Sequence, residues 1–331
     1  MASQTIPQTH RALIVISTSS PLTLQTLPML RSGPSSAVVR ILAANVISYM
    51  RQIYNGERQD QFPTPSIPGA SAIGRIATVG PDATLLKPGM LVFEDCTIRG
   101  RDNATAVFLS GIHGGYSKLS EALMRGEWKD SIYAEYAKVP LETREILDER
   151  NLFGKMGTLR RYEGHRSKSW RDGHCEPATG AYGGAAVLVA LAMGASVIAM
   201  GRNMEALERI KKRSERIEVV PIPGDLLKDS KASRSFGAVD AFFDISPSEA
   251  GKSTPIKSGI LALKHSGRVN LMGGIRDDVP IPHPVFMHMS LTLKGKWMFE
   301  REDIKSMIKM VNSGVLKLGE SAGLRVVGTF G

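Results

Sequence analysis

Apolar and polar positions along this chain fall into two regimes. From the N-terminus to about Pro140 the apolar runs are short and punctuated by Gly, Pro, Ser and Thr. Arg11 to Ile16 and Ala37 to Leu42 read as strands separated by turns. Gly74 to Gly80 alternates like a half-buried strand, and Lys87-Pro88-Gly89 is a turn feeding the run Met90 to Phe93. Tyr133 to Pro140 reads as a closing strand. This punctuation predicts a β-rich domain over residues 1–140. Beyond it the pattern changes to strands alternating with helices. Ala185 to Met193 is an apolar helical run, and Ala195 to Met200 a buried β-branched strand. Ile217 to Ile222, Val239 to Asp244, Gly267 to Met272 and Leu291 to Lys296 follow as further strands. Arg301 to Asn312 places Ile304, Met307, Ile308 and Val311 on one helical face. Alternation of this kind predicts an α/β domain with a doubly wound parallel sheet.

The join between turn and helix carries the chemistry. Ala178-Thr179-Gly180-Ala181-Tyr182-Gly183-Gly184 opens the helix, and the next strand ends in Gly201-Arg202-Asn203. Glycines let a backbone approach a pyrophosphate, and a helix N-terminus offers unpaired N–H groups and a positive dipole end. The pattern is that of the second half of a βαβ dinucleotide unit. An NAD site would set an acid at the end of the following strand. Arg202 stands there instead, which suits a 2′-phosphate and so NADP(H). Thr179, Gly180, Tyr182, Gly183, Gly184, Arg202 and Asn203 are therefore candidate cofactor-binding residues. Ser246 and Gly273-Gly274 join them, because ligands of such sheets lie outside the carboxyl ends of the strands.

The first strand of that unit should precede Ala178, and the sequence there lacks its signature. Ser169-Trp170-Arg171-Asp172-Gly173-His174-Cys175-Glu176 has neither an apolar run nor alternation, whereas a central parallel strand is usually a near-continuous run of Val, Ile and Leu. Codons for Ser169 to Cys175, read one nucleotide later, can encode Ala-Gly-Glu-Thr-Val-Ile-Val. The expectation is that about 155–176 is a shifted-frame or mis-spliced translation, with the native frame returning at Pro177. Residues 168–175 would then not form a central parallel strand. A divergent basic loop is the rival reading.

Composition narrows the function classes. With 331 residues, 42% hydrophobic and 22% charged, the chain can build two domains with sizeable cores. It has no apolar run long enough for a membrane span, and Met1 to Arg11 lacks the apolar core of a signal peptide. Two cysteines, Cys96 and Cys175, make no disulfide framework and fit a reducing, cytoplasmic setting. The net charge of +10 raises the question of nucleic acid. Residues 155–176 alone supply a surplus of three of those charges, counting six basic against three acidic residues. No aromatic residues interleave with the basic groups to stack bases, so no nucleic-acid partner is expected.

The order Pro68-Gly69-Ala70-Ser71-Ala72-Ile73-Gly74, Lys87-Pro88-Gly89-Met90-Leu91-Val92, Tyr133-Ala134-Glu135-Tyr136 and then the Ala-Thr-Gly turn resembles the medium-chain dehydrogenase/reductase superfamily. It resembles most the zinc-independent branch of alcohol dehydrogenase-like and quinone oxidoreductase-like proteins, many of them from fungal secondary metabolism. The resemblance implies a GroES-like catalytic domain at 1–140 and a Rossmann NADP-binding domain at 141–300. Residues 301–331 would be a truncated return to the catalytic domain that leaves apolar surface exposed. It also implies a small-molecule substrate in the interdomain cleft and frequent homodimers. Zinc-dependent members place Gly-His-Glu where this chain has Gly69-Ala70-Ser71, and a cysteine within the segment matching 43–48, so no metal is expected. An asparagine lies where Asn45 does in the quinone and enoyl reductases. Asn45 and Tyr49 are thus the candidate catalytic residues, with Tyr54 a weaker one. Two other readings stay open: a degraded non-catalytic relative, and a nucleotide-sensing binding protein.

Overall fold

The computed structural model describes residues 6–149, 172–176, 178–237, 239–252 and 254–322. The chain divides into two compact units, Met1–Lys155 and Met156–Gly331. No helix among the described residues is long and apolar enough to cross a membrane.

The first unit is β-rich. Strands β1 (Thr9–Ile14) and β2 (Thr23–Pro28) form a hairpin. A five-stranded antiparallel sheet uses β3 (Ser36–Ala44), β4 (Ala72–Val79), β5 (Leu91–Glu94), β8 (Tyr136–Pro140) and β9 (Arg144–Ile146), in the order β8-β3-β4-β5-β9. Between β5 and β8 run the hairpin of β6 (Thr97–Arg99) with β7 (Val107–Leu109) and the helix α2 (Lys118–Arg125). The short helix α1 (Met50–Tyr54) follows β3. Alternation in β4 turns Ala72 and Ile76 into a core with Ala37, Val39, Val92, Ile132, Ala137 and Val139. Strand β9 carries this sheet past Pro140. Its Arg144 stands opposite Glu94 on β5, and the two form a buried ion pair, with Arg144 also donating to the Thr143 carbonyl at 3.0 Å.

Next to that pair, Asp95 is buried and accepts the Thr97 N–H at 2.9 Å. Burial pushes its carboxyl up to about 6. A folded-state pKa above the ordinary value means the fold holds this proton more tightly than the unfolded chain does. The contribution to stability is full below about pH 4 and is lost as pH rises through about 6. Asp95→Asn keeps the acceptor for Thr97 without the charge. It should stabilise the protein by up to about 3 kcal/mol at pH 8, at ~1.4 kcal/mol per pKa unit, and do nothing at pH 4. Urea unfolding at the two pH values checks this.

The second unit holds a six-stranded, wholly parallel sheet. Its strands are β10 (Asp172–Glu176), β11 (Ser196–Gly201), β12 (Ile217–Pro221), β13 (Val239–Asp244), β14 (Leu263–Leu271) and β15 (Thr292–Gly295). They run β12-β11-β10-β13-β14-β15, which counted from β10 is the doubly wound order 3-2-1-4-5-6. Helices α3 (Ala181–Ala192), α4 (Met204–Lys211), α5 (Leu226–Arg234) and α6 (Pro255–Leu261) connect the strands. They are followed by α7 (His283–His288) and α8 (Arg301–Asn312). Ile198 and Met200 of β11 join one core with Phe242, Ile256, Ile260 and Val269, while Val197 and Ala199 join another with Val187, Leu207 and Ile217. Two covered faces explain why these strands read as continuous apolar runs.

Strand β10 corrects the expectation that residues 168–175 would not form a central strand. Asp172–Glu176 pairs in parallel register with both neighbours, Gly173 lying opposite Val197 on one side and Ala241 on the other. Ladder bonds use backbone groups that every residue here carries. An empty slot would orphan the facing N–H and C=O groups of β11 and β13. The demand of the two flanking strands outweighs the missing side-chain pattern. The rest of the frame-shift reading, residues 155–171, lies outside the described residues, as do residues 323–331.

Candidate active site

Because the sheet is parallel, all its carboxyl ends share one edge. At that edge the Ala178 N–H donates to the Met200 carbonyl at 2.8 Å, anchoring the turn after β10 to β11. Gly201 ends β11, and a Cβ there would meet the Thr179 methyl at 2.7 Å, so turn and strand end are in close contact. Gly180 is the N-cap of α3 and has no side chain to cap it; the first helical bond runs from the Gly184 N–H to the Gly180 carbonyl at 2.8 Å. A Cβ built on Gly180 meets nothing within 4 Å among the described residues. Gly180 is thus unlike Gly201: open space, not packing, lies in front of it. Gly183 and Gly184 are buried in the first turn of the helix, and Tyr182 is exposed on it.

Arg202 is exposed at the end of β11, one residue from that turn contact. Asn203 is the N-cap of α4, its side chain accepting the Ala206 N–H at 3.0 Å. Its oxygen therefore serves the helix.

On the other side of β10, the turns after β13 and β14 are tied together. The Ser246 carbonyl accepts the Gly274 N–H at 2.8 Å, and the Asp244 carbonyl accepts the Met272 N–H at 3.0 Å. Asp244, buried at the end of β13, was not among the sequence candidates. One carboxylate oxygen accepts the Ser246 N–H at 3.1 Å and the other the Gly273 N–H at 3.2 Å. Burial raises its pKa, and those bonds oppose the shift. Gly273 is held tightly, since a Cβ would lie 2.6 Å from the Asp244 carboxylate and 2.8 Å from the Ser246 carbonyl. At Gly274 the nearest atom to such a Cβ is 3.9 Å away. A signal for Asp244 existed: an acid ending the otherwise apolar strand Ala241-Phe242-Phe243.

In the first unit, Asn45 is held from three sides. Its N–H donates to the Ser71 carbonyl at 3.2 Å, its side-chain oxygen accepts the Ser71 N–H at 3.1 Å, and its own carbonyl accepts the Tyr133 hydroxyl at 2.8 Å. Burial pushes the Tyr133 phenol up to about 12. Tyr133 was not a sequence candidate. Tyr49 precedes α1, with the Arg58 guanidinium 4.3 Å from its ring centroid. Tyr54 is a structural tyrosine. Its buried hydroxyl accepts the Gly69 N–H and donates to the Gly111 carbonyl, both at 2.9 Å, and burial raises its pKa. It bridges two glycines with φ of +133° and +72° whose backbones nearly touch, a Cβ on Gly111 lying 2.7 Å from the Gly69 carbonyl.

Donor chemistry tests for a metal. Ala70, buried, has no ligand atom, and Cys96 is buried with its thiol pushed up to about 12 by that burial. His113 accepts the Gly115 N–H at 2.9 Å, and a His288 ring nitrogen lies 2.9 Å from the Pro284 carbonyl. Among the described residues, no three His, Cys, Asp or Glu side chains are grouped to hold a metal ion. These residues do not fit a zinc site.

Comparison with known proteins places this geometry. Residues 33–143 match the model of the alcohol dehydrogenase GroES-like domain, and residues 181–313 that of the zinc-binding dehydrogenase. No curated protein sequence matches the chain. Several solved structures share the fold. A thermostable alcohol dehydrogenase from Pyrobaculum aerophilum, with cobalt and zinc bound, is 20% identical with a TM-score of 0.67, over 93% of this chain and 90% of that one. A protein from Sinorhizobium meliloti 1021, assigned as a zinc-binding dehydrogenase and bound to NADP, is 16% identical with a TM-score of 0.71, over 94% and 91%. A crotonyl-CoA carboxylase/reductase is 16% identical with a TM-score of 0.70, over 94% and 81%. A GroES-like unit followed by a Rossmann unit defines a two-domain oxidoreductase. The chain belongs to the medium-chain dehydrogenase/reductase superfamily.

Proposed function

We propose that this oxidoreductase uses NADP(H), acts without a catalytic metal, and moves hydride to or from a carbonyl or an activated double bond of a small organic substrate. The observation that carries the cofactor reading is the room in front of Gly180 among the described residues, at the N-terminus of α3 and one strand end from Arg202. A pyrophosphate suits that space and the positive end of α3. The Arg202 guanidinium suits a 2′-phosphate. When bound, the cofactor supplies the hydride from nicotinamide C4.

Without a metal to polarise the substrate oxygen, that task falls to side chains of the first unit. Ser71 donates an N–H, so the Asn45 atom it meets is the oxygen, and the amino group Nδ2 is the end of the carboxamide that can donate to a substrate oxygen. Asn45 and the Tyr49 hydroxyl are the proposed donors, and a role in secondary metabolism is part of the same reading.

Gly180 has a φ of −85°, which any residue adopts, and the Cβ of Gly180→Val meets nothing within 4 Å among the described residues. Its expected outcome is an unchanged melting temperature with NADPH affinity at least tenfold weaker, measured by calorimetric titration. NADPH consumption with a panel of aldehydes, quinones and enones, undiminished by EDTA, completes the test. Binding without turnover on any of them would favour a nucleotide-sensing protein, and no binding would favour a non-catalytic relative.

A further inference from the structure

We infer that Asp244 is a positioning residue for the nicotinamide half of the cofactor. The inference rests on the NADP(H) reading above and assigns a part of the site to each side of the sheet. A dinucleotide lies across the point where strand order reverses, here between β10 and β13, with one mononucleotide on each side. Arg202 follows β11, so the half that carries the 2′-phosphate falls on the β10-β11-β12 side. The nicotinamide half then falls over the ends of β13 and β14.

Those ends are two separate turns, and a ligand resting on both needs them held in fixed relation. Asp244 supplies that relation. Its two oxygens each take one N–H, from Ser246 in its own turn and from Gly273 in the next. An ionised carboxylate accepts at both oxygens and donates at neither, so it can close this bridge without a proton to place. The Gly274 N–H bond to the Ser246 carbonyl closes a second link beside it. The result leaves Gly273 without room for a Cβ, whereas one on Gly274 would make only an ordinary contact with the Ser248 nitrogen at 3.9 Å. Asparagine cannot substitute. It keeps one acceptor but turns an NH2 group toward the other N–H.

The test separates the two halves of the ligand. Wild type, Asp244→Ala and Asp244→Asn are titrated calorimetrically with NADPH and with 2′,5′-ADP, which carries the 2′-phosphate but no nicotinamide. Both variants should bind NADPH at least tenfold more weakly and 2′,5′-ADP within twofold of wild type. On the wild type alone, hydrogen exchange should slow at the amides of 246 and 273–274 with NADPH and stay unchanged with 2′,5′-ADP, a readout that survives if the variants fail to fold. Unchanged NADPH affinity, an equal loss for both ligands, or no NADPH protection at those amides overturns the assignment. Failure of the wild type to bind either ligand overturns the cofactor reading itself, a result distinct from these.

Discussion

Replacing residues 169–175 by Ala-Gly-Glu-Thr-Val-Ile-Val should raise the melting temperature by roughly 10 °C. The argument starts from position. Strand β10 lies between β11 and β13, in a sheet with an apolar core on each face. Central strands of parallel sheets are generally covered on both faces, and Asp, Gly and His are poor residues for them. The replacement writes Thr-Val-Ile-Val across 172–175. Burying a Val or Ile is worth about 1.5–3 kcal/mol relative to leaving it exposed. Allowing for imperfect packing, three such residues give about 3–6 kcal/mol, and each kcal/mol shifts a unit of this size by about 2–4 °C. Thermal unfolding followed by circular dichroism measures it. An unchanged or lower melting temperature would mean that the slot accommodates Asp-Gly-His-Cys as well as it would an apolar strand, and the frame-shift reading would lose its physical basis.

That same strand shows where sequence patterning stops. Val239–Asp244 and Arg301–Asn312 carry the expected bounds because their side chains announce them, one as a covered apolar run and the other as a single apolar face. Strand β10 has no such announcement. It is defined by the backbone groups of strands far along the chain, and a local window does not contain them. The site divides in the same way. The glycine turn and Arg202 are proposed from the sequence because their chemistry is local to one βαβ unit. Asn203 carries a second local signal beside its candidacy as a ligand contact: an asparagine directly before a helix is a capping residue. Asp244 shows in the sequence only as an acid ending an apolar strand, since its partner Gly273 lies 29 residues away, and Tyr133 has no signal because its partner Asn45 lies 88 residues away.

Arg202→Asp should weaken NADPH binding by about two to three orders of magnitude while leaving NADH binding within a few-fold of the parent or better. A charge-assisted hydrogen bond is worth about 1.5–3 kcal/mol, and a guanidinium meets a phosphate with two. Screening at this exposed position reduces the pair to about the worth of one such bond, so its loss accounts for roughly 10- to 150-fold in affinity. The new carboxylate adds repulsion toward the 2′-phosphate, yet it is the group that accepts from a ribose 2′-hydroxyl in an NAD site. One substitution should therefore move the two cofactors in opposite directions. Arg202 is exposed at a strand end, so the change should leave the fold intact, and an unaltered melting temperature is the control. Screening supplies a second check. The parent's preference for NADPH over NADH should shrink as salt is raised from 50 to 500 mM, because its source is a pairing of charges at the surface. Equal affinity of the parent for both cofactors would remove Arg202 from the site and with it the assignment of NADP(H).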